Sequence, residues 1–366
     1  MDPALRQIVE RVRAAAADAT PLRPRGGGTK DFYGDARAGE VLETTPLAGI
    51  SSYEPSELVV TVRAGTPLAE LEALLATEGQ CLAFEPPRFA SGGTVGGMVA
   101  AGLSGPARAS AGAVRDHLLG AELLNGKAEL LRFGGTVMKN VAGYDVSRVL
   151  AGALGTLGLL TEVSLKVLPV APAEATLAFA CNQADALRLL NAWGGQPLPL
   201  NASVWREGDD GAGVLLLRLR GAVAAVEAAC AHLGGERRSA AAAAAGWQAL
   251  RDQQDPWFHA GAHDLWRVSV PQTAPVLALP GVAPALVEWH GAQRWYRATA
   301  AQGSAVRAAA RAHGGHATLF RAAAPAGREP VFEPLSPVLD RIHRGLRREF
   351  DPHGVFGHAL AGQTSA

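Results

Sequence analysis

The sequence predicts an α+β protein built from two folded parts, and three observations lead to that class. The chain has 366 residues, which is long enough to bury two substantial cores. Its first half alternates strand-like runs, helical runs and glycine-rich loops, and these loops become sparse after Pro172. Beyond that point the elements follow a β-α-β-β-α order near 174–233 and part of the same order near 265–321. Such an order is typical of helices packed on one face of a sheet.

Composition and charge disfavour several function classes. Lys plus Arg and Asp plus Glu both total 34, so the net charge gives no support for nucleic-acid binding or a polybasic membrane anchor. No apolar run approaches about 18 residues, and the chain opens with a charged amphipathic helix, so we expect a cytoplasmic protein without a transmembrane segment. Cys81, Cys181 and Cys230 are far apart and form no CxxC motif, which disfavours an iron–sulfur cluster and a disulfide framework.

Local signals place the elements of the first half in order. Glu57–Gly65 is rich in β-branched residues and predicts a strand, and the leucine spacing after it predicts a helix with Thr66 as its N-cap. Two apolar segments around Asn125-Gly126 predict a hairpin with a type I′ turn. The run Gly158–Val170 predicts a further strand.

In the second half, alanine and proline mark the clearest elements. The six-alanine run Ala240–Ala245, with Ser239 in front of it as a candidate N-cap, predicts an ordinary helix. A charged amphipathic helix is predicted after Pro337, followed by a turn at Asp351-Pro352.

Three glycine-rich loops in the first half carry the chemistry: Arg25–Lys30, Ser91–Gly105 and Ala151–Gly158. The first, "RGGGTK", is not a P-loop, because its hydroxyl residue precedes the lysine, and its spacing does not match the Rossmann fingerprint. Glycine lets several backbone N–H groups turn toward an anion, so such a loop can bind a pyrophosphate without a basic side chain.

Hydroxyl residues accompany each loop and could add donors, namely Thr29, Ser91, Thr94 and Thr156. One such loop alone is more often structural, since glycine also serves hairpins and tight packing. Three of them favour an extended diphosphate ligand, and a dinucleotide such as FAD fits better than a mononucleotide.

Several strings carry a specific resemblance: "PRGGGTK", "PPRFASGGTVGGMVAAGLSGP", "VMKNVAGYDVSR", "EWHGAQRWY" and "GGHATLFR". Together they resemble the vanillyl-alcohol-oxidase (PCMH-type) flavoproteins, and within these the FAD-binding subunits of bacterial glycolate oxidase. The resemblance covers most of residues 20–357. It implies a two-subdomain PCMH-type FAD-binding domain over 1–172, an α+β cap domain with ferredoxin-like β-α-β-β-α elements over 173–325, and a C-terminal helix and tail over 326–366 that return to the FAD domain.

The resemblance also implies which residues bind FAD. The pyrophosphate would lie between the first two loops, and the "GTLG" turn and the strand after it would line the flavin. Gly102–Ser104 and Lys139–Asp145 would lie near the ring system. The implied cofactor-binding residues are Pro24, Arg25, Gly26, Gly27, Gly28, Thr29, Lys30, Ser91, Gly92, Gly93, Thr94, Val95, Gly96, Gly97, Gly102, Ser104, Asp145, Gly155, Thr156, Gly158 and Leu160.

Three departures from the family pattern matter. The first loop holds no histidine for attachment to the flavin, so we expect non-covalent FAD. The C-terminal "DPHGVFGHAL" lacks the family's N-P-G-R string, which puts flavin tuning by the tail in doubt. The H-x-H-x-G-D-G-N-like cap motif of catalytic relatives is also absent.

Catalytic residues stay open at this stage. Oxidation of a 2-hydroxy acid by a flavin needs a cation for the carboxylate and a base for the hydroxyl proton. Strand alternation in "WHGAQRWY" would put His290 and Arg294 on one face, which points either into a pocket or into solvent. Lys139 either approaches the flavin or forms an ion pair.

No metal site is predicted. His259 and His263 have the spacing of a helical metal pair but lack a third ligand, and surface or packing roles are favoured for both. His313 and His316 fit a helix end followed by a strand.

Three functions are compatible with these observations. In the first, the chain is the FAD-binding subunit of a glycolate (2-hydroxy-acid) oxidase complex that oxidises glycolate to glyoxylate. Its partners would then be a catalytic flavoprotein subunit and an iron–sulfur subunit that receives the electrons, with peripheral attachment to the inner membrane through them. In the second, it is a self-sufficient FAD-dependent dehydrogenase. In the third, it is a non-catalytic scaffold subunit that contains FAD.

Overall fold

A computed structural model of the chain describes residues 2–35, 38–137, 144–207, 212–324 and 330–357. Within them the helices, numbered along the chain, are α1 Pro3–Asp18, α2 Leu68–Thr77, α3 Val95–Ala101, α4 Arg108–Ala111, α5 Val114–His117, α6 Ser147–Leu150, α7 Gln183–Gly194, α8 Val223–Leu233, α9 Ala240–Arg251, α10 Gly303–Ala312 and α11 Pro337–Phe350. The strands are β1 Leu22–Arg25, β2 Glu40–Glu43, β3 Ile50–Glu54, β4 Val59–Arg63, β5 Gln80–Cys81, β6 Leu118–Leu124, β7 Leu130–Gly134, β8 Leu159–Lys166, β9 Leu168–Pro169, β10 Ala173–Ala180, β11 Leu200–Glu207, β12 Gly213–Gly221, β13 Glu236–Arg237, β14 Asp264–Ser269, β15 Leu286–Glu288, β16 Gln293–Ala298 and β17 His316–Arg321.

The chain forms two compact units that interleave in sequence. The first unit comprises Met1–Leu103, Gly112–Val170 and Pro334–Ala366, and the second comprises Ser104–Ala111 and Ala171–Glu333. The short segment Ser104–Ala111 therefore leaves the first unit and belongs to the second.

The first unit is built on an antiparallel sheet of order β3-β4-β8-β6-β7. Its strands confirm those predicted over Glu57–Gly65 and Gly158–Val170. Their inward side chains pack against α2 and α3, and the largest buried members of this core include Leu71, Leu75 and Met98. Burial of each such side chain contributes about 1.5–3 kcal/mol, so this sheet is the rigid support for the loops at its edges.

Two turn details differ from the predictions. Thr66 does not cap α2; its hydroxyl bonds the backbone of Gly49 instead, and Pro67 occupies the N-cap without a side-chain bond. The hairpin of β6 and β7 exists, but its turn is not type I′. The Asn125 side chain accepts from the amides of Lys127 and Glu129, and Ala128 takes the left-handed conformation, so the side chain organises a longer loop.

The C-terminal turn is pinned to the first unit by Asp351. Its buried carboxylate accepts hydrogen bonds from the amides of Val355, at 2.8 Å, and Phe356, at 2.9 Å. Both of those residues are part of an apolar cluster with α1, and Val355 also accepts from the Leu22 amide of β1. The turn predicted at Asp351-Pro352 therefore holds Val355 and Phe356 against α1 and β1, the strand that leads into the first glycine loop.

Replacing Asp351 with alanine is expected to destabilise the first unit by about 2 kcal/mol, because two buried amides lose their acceptor. Urea unfolding followed by far-UV circular dichroism measures this change. Asp351→Asn keeps one acceptor oxygen and should lie between the wild type and Asp351→Ala. Equal stability of all three proteins would contradict this role.

The second unit is an antiparallel sheet of order β13-β10-β12-β11-β15-β16-β14-β17. One face packs against α7, α8 and α10, with Trp266 and Leu217 fully buried in the core. The order β10-α7-β11-β12-α8 confirms the predicted β-α-β-β-α unit. Helix α9 begins where predicted, with the Ser239 hydroxyl accepting from the Ala242 amide, and α11 begins at Pro337.

Among the described residues, neither histidine pair belongs to a group of three or more candidate metal ligands. His259 ends a 3-10 turn and His263 follows in a loop, so the two do not share a helix. His313 caps α10 and His316 begins β17, as predicted. No helix among the described residues is long and apolar enough to cross a membrane.

Candidate functional site

The first two glycine loops touch each other, and this contact explains two of their glycines. A Cβ atom added to Gly27 would overlap the carbonyl of Gly92, and one added to Gly26 would overlap the Thr94 hydroxyl. Thr29 approaches the second loop as well, because a Cβ on Gly93 would lie 3.4 Å from its Oγ1. The sequence suggested that these glycines let a ligand approach the backbone. The structure shows that Gly26 and Gly27 let the two loops approach one another.

Helix α3 begins inside the second loop, and its first amides are already bonded. Thr94 is the N-cap, and its hydroxyl accepts from the Gly97 amide at 3.2 Å. The amides of Val95 and Gly96 donate to the carbonyls of Thr66 and Ala64, at 2.9 and 2.7 Å. The expectation that these N–H groups turn toward an anion is therefore wrong for Val95, Gly96 and Gly97.

Other amides of the same two loops remain available. Within the described ranges, no protein acceptor bonds the N–H groups of Gly26, Gly27, Gly28, Ser91 and Gly92. These residues are half-buried or exposed, and Gly28 and Gly92 take left-handed conformations at φ 69° and 87°. Adjacent unpaired amides in alternating backbone conformations form the kind of concavity that binds phosphate oxygens.

The first loop begins and ends with a basic residue, Arg25 and Lys30, and the two differ in whether the side chain forms ion pairs with described residues. Arg25 pairs with Asp31, at 2.8 Å, and with Glu43, at 3.7 Å, and a Cβ on Gly28 would meet its guanidinium. Arg25 therefore stabilises the loop through these contacts. Lys30 forms no ion pair with any described residue, and burial lowers the pKa of its ammonium group to about 8. Its Nζ lies 5.8 Å from the centre of the Phe89 ring.

The third loop is fixed to the end of α3. The amides of Gly152 and Leu154 donate to the carbonyls of Val99 and Ala100, and a Cβ on Gly102 would lie 2.8 Å from the Gly152 Cα. Gly102 is therefore needed for close packing between helix and loop. The Thr156 hydroxyl donates to the Ala153 carbonyl at 2.7 Å, so it is not the free donor that the sequence suggested.

A narrow cleft in the first unit joins the three loops to strand β8. Its volume is about 70 Å³, well below that of a typical ligand pocket, so it would enclose only part of a dinucleotide. Seven predicted cofactor residues line it: Pro24, Gly26, Gly96, Gly97, Gly155, Gly158 and Leu160.

Leu157 and Leu159 also line the cleft, and they belong to the "GTLG" turn and the strand after it, as the resemblance implied. Sequence reasoning missed the rest of the lining: Thr44, Ala64, Ala100, Leu123, Leu150, Ala153 and Leu154. Those in the third loop continue a motif that was already recognised. Thr44 and Leu123 lie at or next to strands brought in by tertiary pairing, and no local signal marks them.

Of three residues expected near the flavin ring, Asp145 has partners within its own segment. The Asp145 carboxylate accepts from the Ser147 hydroxyl and pairs with Arg148 at 2.7 Å, so it stabilises the start of α6. Ser104 belongs to the second unit. Lys139 lies outside the described residues.

His290 lies in a strained turn of the second unit. Trp289, His290 and Gly291 all have positive φ, and β16 begins only at Gln293, so the predicted strand alternation from 290 to 294 is wrong. The His290 Nε2 atom lies 3.1 Å from the Ser110 hydroxyl, and its buried Nδ1 atom has no hydrogen-bond partner among the described residues. Burial lowers the pKa of His290, which keeps the imidazole neutral near pH 7.

Arg294 is fully buried, and its guanidinium donates hydrogen bonds to three backbone carbonyls. Its Nε donates to the Gly291 carbonyl at 3.2 Å, its Nη2 to the Ala274 carbonyl at 2.5 Å, and its Nη1 to the Pro275 carbonyl. Arg294 therefore ties a long loop to the turn before β16. The geometry does not present it to a substrate carboxylate.

Comparisons with known proteins identify the cofactor class. A family described as "FAD binding domain" matches residues 5–134. Glycolate oxidase subunit GlcD of Bacillus subtilis is 31% identical over 169 residues, which are 45% of this chain and 36% of that protein. Alkyldihydroxyacetonephosphate synthase shares the fold, with a TM-score of 0.64 at 14% identity over 96% of this chain and 74% of that one. The chain binds FAD, as predicted.

One relative matches over nearly the whole length. Glycolate oxidase subunit GlcE of Escherichia coli is 43% identical over 349 residues, which are 95% of each chain. This similarity spans both units, and it confirms the resemblance that the glycine loops and the "VMKNVAGYDVSR" string carry. The chain therefore belongs to the family of glycolate oxidase subunit GlcE, FAD-binding oxidoreductases of the PCMH type.

Proposed function

We propose that this chain is the FAD-binding subunit of a glycolate oxidase complex that oxidises glycolate, or a similar 2-hydroxy acid, to glyoxylate or its analogue. The observation that carries the proposal is the 43% identity to the E. coli subunit over 95% of both chains. The loops of the first unit support it, because they combine unpaired amides, a lysine and a narrow apolar cleft in one place.

The loops and the cleft offer a partner to each part of FAD. The amides of Gly26–Gly28 and Ser91–Gly92 would donate to the diphosphate, and the Lys30 ammonium would supply a positive charge beside it. The Thr94 hydroxyl accepts from the Gly97 amide and keeps its own proton to donate. The cleft walls formed by Gly155, Gly158 and Leu160 would contact an apolar part of the cofactor. Because the first loop lacks histidine, we propose that FAD is bound without a covalent link.

When bound, FAD supplies the acceptor for the two electrons released by the hydroxy acid. The chain's cysteines form no cluster motif in the sequence, so we propose that the electrons pass to an iron–sulfur partner subunit. A catalytic flavoprotein subunit is the second proposed partner. The first unit's contribution is to hold the cofactor and exclude water from the cleft.

Anaerobic addition of glycolate to the purified chain tests the proposal. We expect the flavin absorbance to persist in the isolated chain and to bleach when the flavoprotein and iron–sulfur subunits are also present. The bleached fraction must include the FAD of this chain, which requires mixing it with a flavoprotein partner whose own flavin content is known. If FAD bound to this chain stays oxidised in the full complex, the chain is a scaffold subunit and the proposal fails.

A second candidate, a self-sufficient 2-hydroxy-acid dehydrogenase, is favoured by one observation. His290 is a neutral, half-buried imidazole in a strained turn, which suits a proton acceptor. Bleaching of the isolated chain by glycolate or D-lactate would support this function, and loss of that bleaching in His290→Gln would assign the proton transfer. The position of Arg294 argues against it, because no other cation is assigned to the carboxylate.

FAD affinity should depend on the charge of Lys30. Its pKa of about 8 in the free protein rises when a phosphate anion binds, so affinity is full below pH 8 and falls as the pH increases through it. Lys30→Gln should weaken FAD binding about tenfold at pH 7 and flatten the pH dependence above 8. Fluorescence titration of the apoprotein between pH 6.5 and about 9.5 measures both effects.

Lys127→Gln is the matched control, because Lys127 is exposed in the hairpin loop of the same unit. It should bind FAD like the wild type at every pH. An unchanged pH dependence in Lys30→Gln would exclude Lys30 as the titrating group.

A further inference from the structure

Helix α11 carries an apolar stripe that the first unit only partly covers. Its last turns pack on the core through Leu346 and Phe350. Its first turns project the same stripe outward, and Val338, Leu339 and Ile342 are 56%, 48% and 51% exposed. Helical spacing places these five side chains on one side of the helix. Contiguous exposed apolar side chains of this kind usually mark an interaction surface.

Four arginines of the same helix line an open cavity. Arg341, Arg344, Arg347 and Arg348 face a space of about 630 Å³ closed by the turn at 351–354. Arg344 pairs with Asp340 at 2.7 Å. In the described part of the chain, no carboxylate lies within ion-pair distance of Arg341 or Arg348. The cavity therefore has an excess of positive charge at its rim.

The two surfaces lie on different sides of one helix. At about 100° per residue, Arg341, Arg344 and Arg348 fall roughly opposite Leu339 and Ile342. A flat surface such as a bilayer contacts only one side of a helix. A helix bound at a membrane interface rests on the bilayer along the whole length of the helix. The last turns of α11 are held on the protein core, which leaves only its first turns free. A concave protein surface can contact both sides of a projecting helix at once.

We propose that the first turns of α11 dock into another subunit of the same oxidase. The partner would present an apolar groove for Val338, Leu339 and Ile342, bordered by Asp or Glu side chains that pair with Arg341 and Arg348. This inference rests on the proposed function, since it takes the partner of α11 from the oxidase complex. Charge complementarity of this kind speeds association and selects the partner, while the apolar stripe supplies most of the affinity.

The test measures binding of the full chain, loaded with FAD, to the purified flavoprotein and iron–sulfur subunits of the glycolate oxidase from the same organism. Leu339→Glu and Arg341→Glu are each expected to weaken binding to one of these subunits by at least about tenfold. Val223→Glu, an exposed apolar position on α8, and Arg13→Glu, an exposed arginine on α1, are the matched controls and should bind like the wild type. FAD content per chain shows that each variant is folded.

A photo-crosslinking residue at position 342 provides a second measurement that does not depend on loss of binding. It should label the same subunit, and acidic residues should lie near the labelled site. Binding of vesicles containing phosphatidylglycerol and the oligomeric state of the chain alone are measured in parallel.

The outcomes separate the inference from the proposed function. If the wild type binds the subunits and both α11 variants bind equally well, the docking surface is elsewhere and only this inference fails. If the variants lose vesicle binding or self-association instead, the first turns of α11 bind a membrane or a second copy of the chain, and the inference also fails. If the wild type binds neither subunit, membership of the complex fails, and the docking proposal fails with it.

Discussion

Replacing Gly27 with alanine is expected to yield a folded chain that has lost most of its FAD. The added Cβ atom would overlap the Gly92 carbonyl, so the first two loops must move apart. Overpacking of this kind costs about 1–3 kcal/mol, and it separates the amides that would share one diphosphate. We expect FAD affinity to fall about 100-fold, measured as FAD retained after purification and as the Kd of the apoprotein.

Gly135→Ala is the matched control for this variant. Gly135 follows β7 in the same unit, and a Cβ there would meet no atom within 4 Å. Its FAD content and thermal stability should equal those of the wild type. Full FAD content in Gly27→Ala would contradict the assignment of these two loops to the diphosphate.

Replacing Arg294 with methionine is expected to destabilise the second unit by about 3 kcal/mol, because three backbone carbonyls lose their donor in the interior. All seven tryptophans of the chain lie in the second unit, so tryptophan fluorescence during urea unfolding reports on this unit. FAD content per folded chain should not change, since the proposed cofactor residues lie in the first unit, apart from Ser104.

Arg188→Met is the control, because the Arg188 side chain is 69% exposed on α7. It should unfold like the wild type. If Arg294→Met is as stable as the wild type but abolishes glycolate-dependent bleaching, Arg294 acts on the substrate and its structural role is wrong.

Local signals predicted most of the fold because they act over a few residues. Strand β4, the β-α-β-β-α order after Pro172 and the cap of α9 by Ser239 depend on alternation, proline and capping hydroxyls, and the structure confirms them. Thr66 does not act as the predicted cap, because a threonine before a helix can bond either the helix amides or a residue elsewhere in the fold. Its choice of Gly49 depends on a contact distant in sequence.

The sequence predicts which loops form the site, but it does not predict which N–H and O–H groups in those loops are free to donate. Sequence identifies Gly27 and Thr156 as loop residues, but only tertiary structure shows that one packs against Gly92 and the other bonds Ala153. The same holds for Arg294. Strand alternation predicts that it shares a face with His290, but the residues from Trp289 to Gly291 form a left-handed turn and not a strand. Positive φ at Trp289 has no sequence signal, since a bulky aromatic residue rarely takes that region.

Hydrogen–deuterium exchange of the apoprotein with and without FAD tests the central claim most directly. If the first two loops hold the diphosphate, amides in peptides covering Gly26–Lys30 and Ser91–Gly93 should show the largest protection when FAD binds, because no described residue accepts a hydrogen bond from them. Amides of Val95 and Gly96 are already bonded and should change less. Saturation with FAD that leaves both loop peptides unprotected would contradict the account.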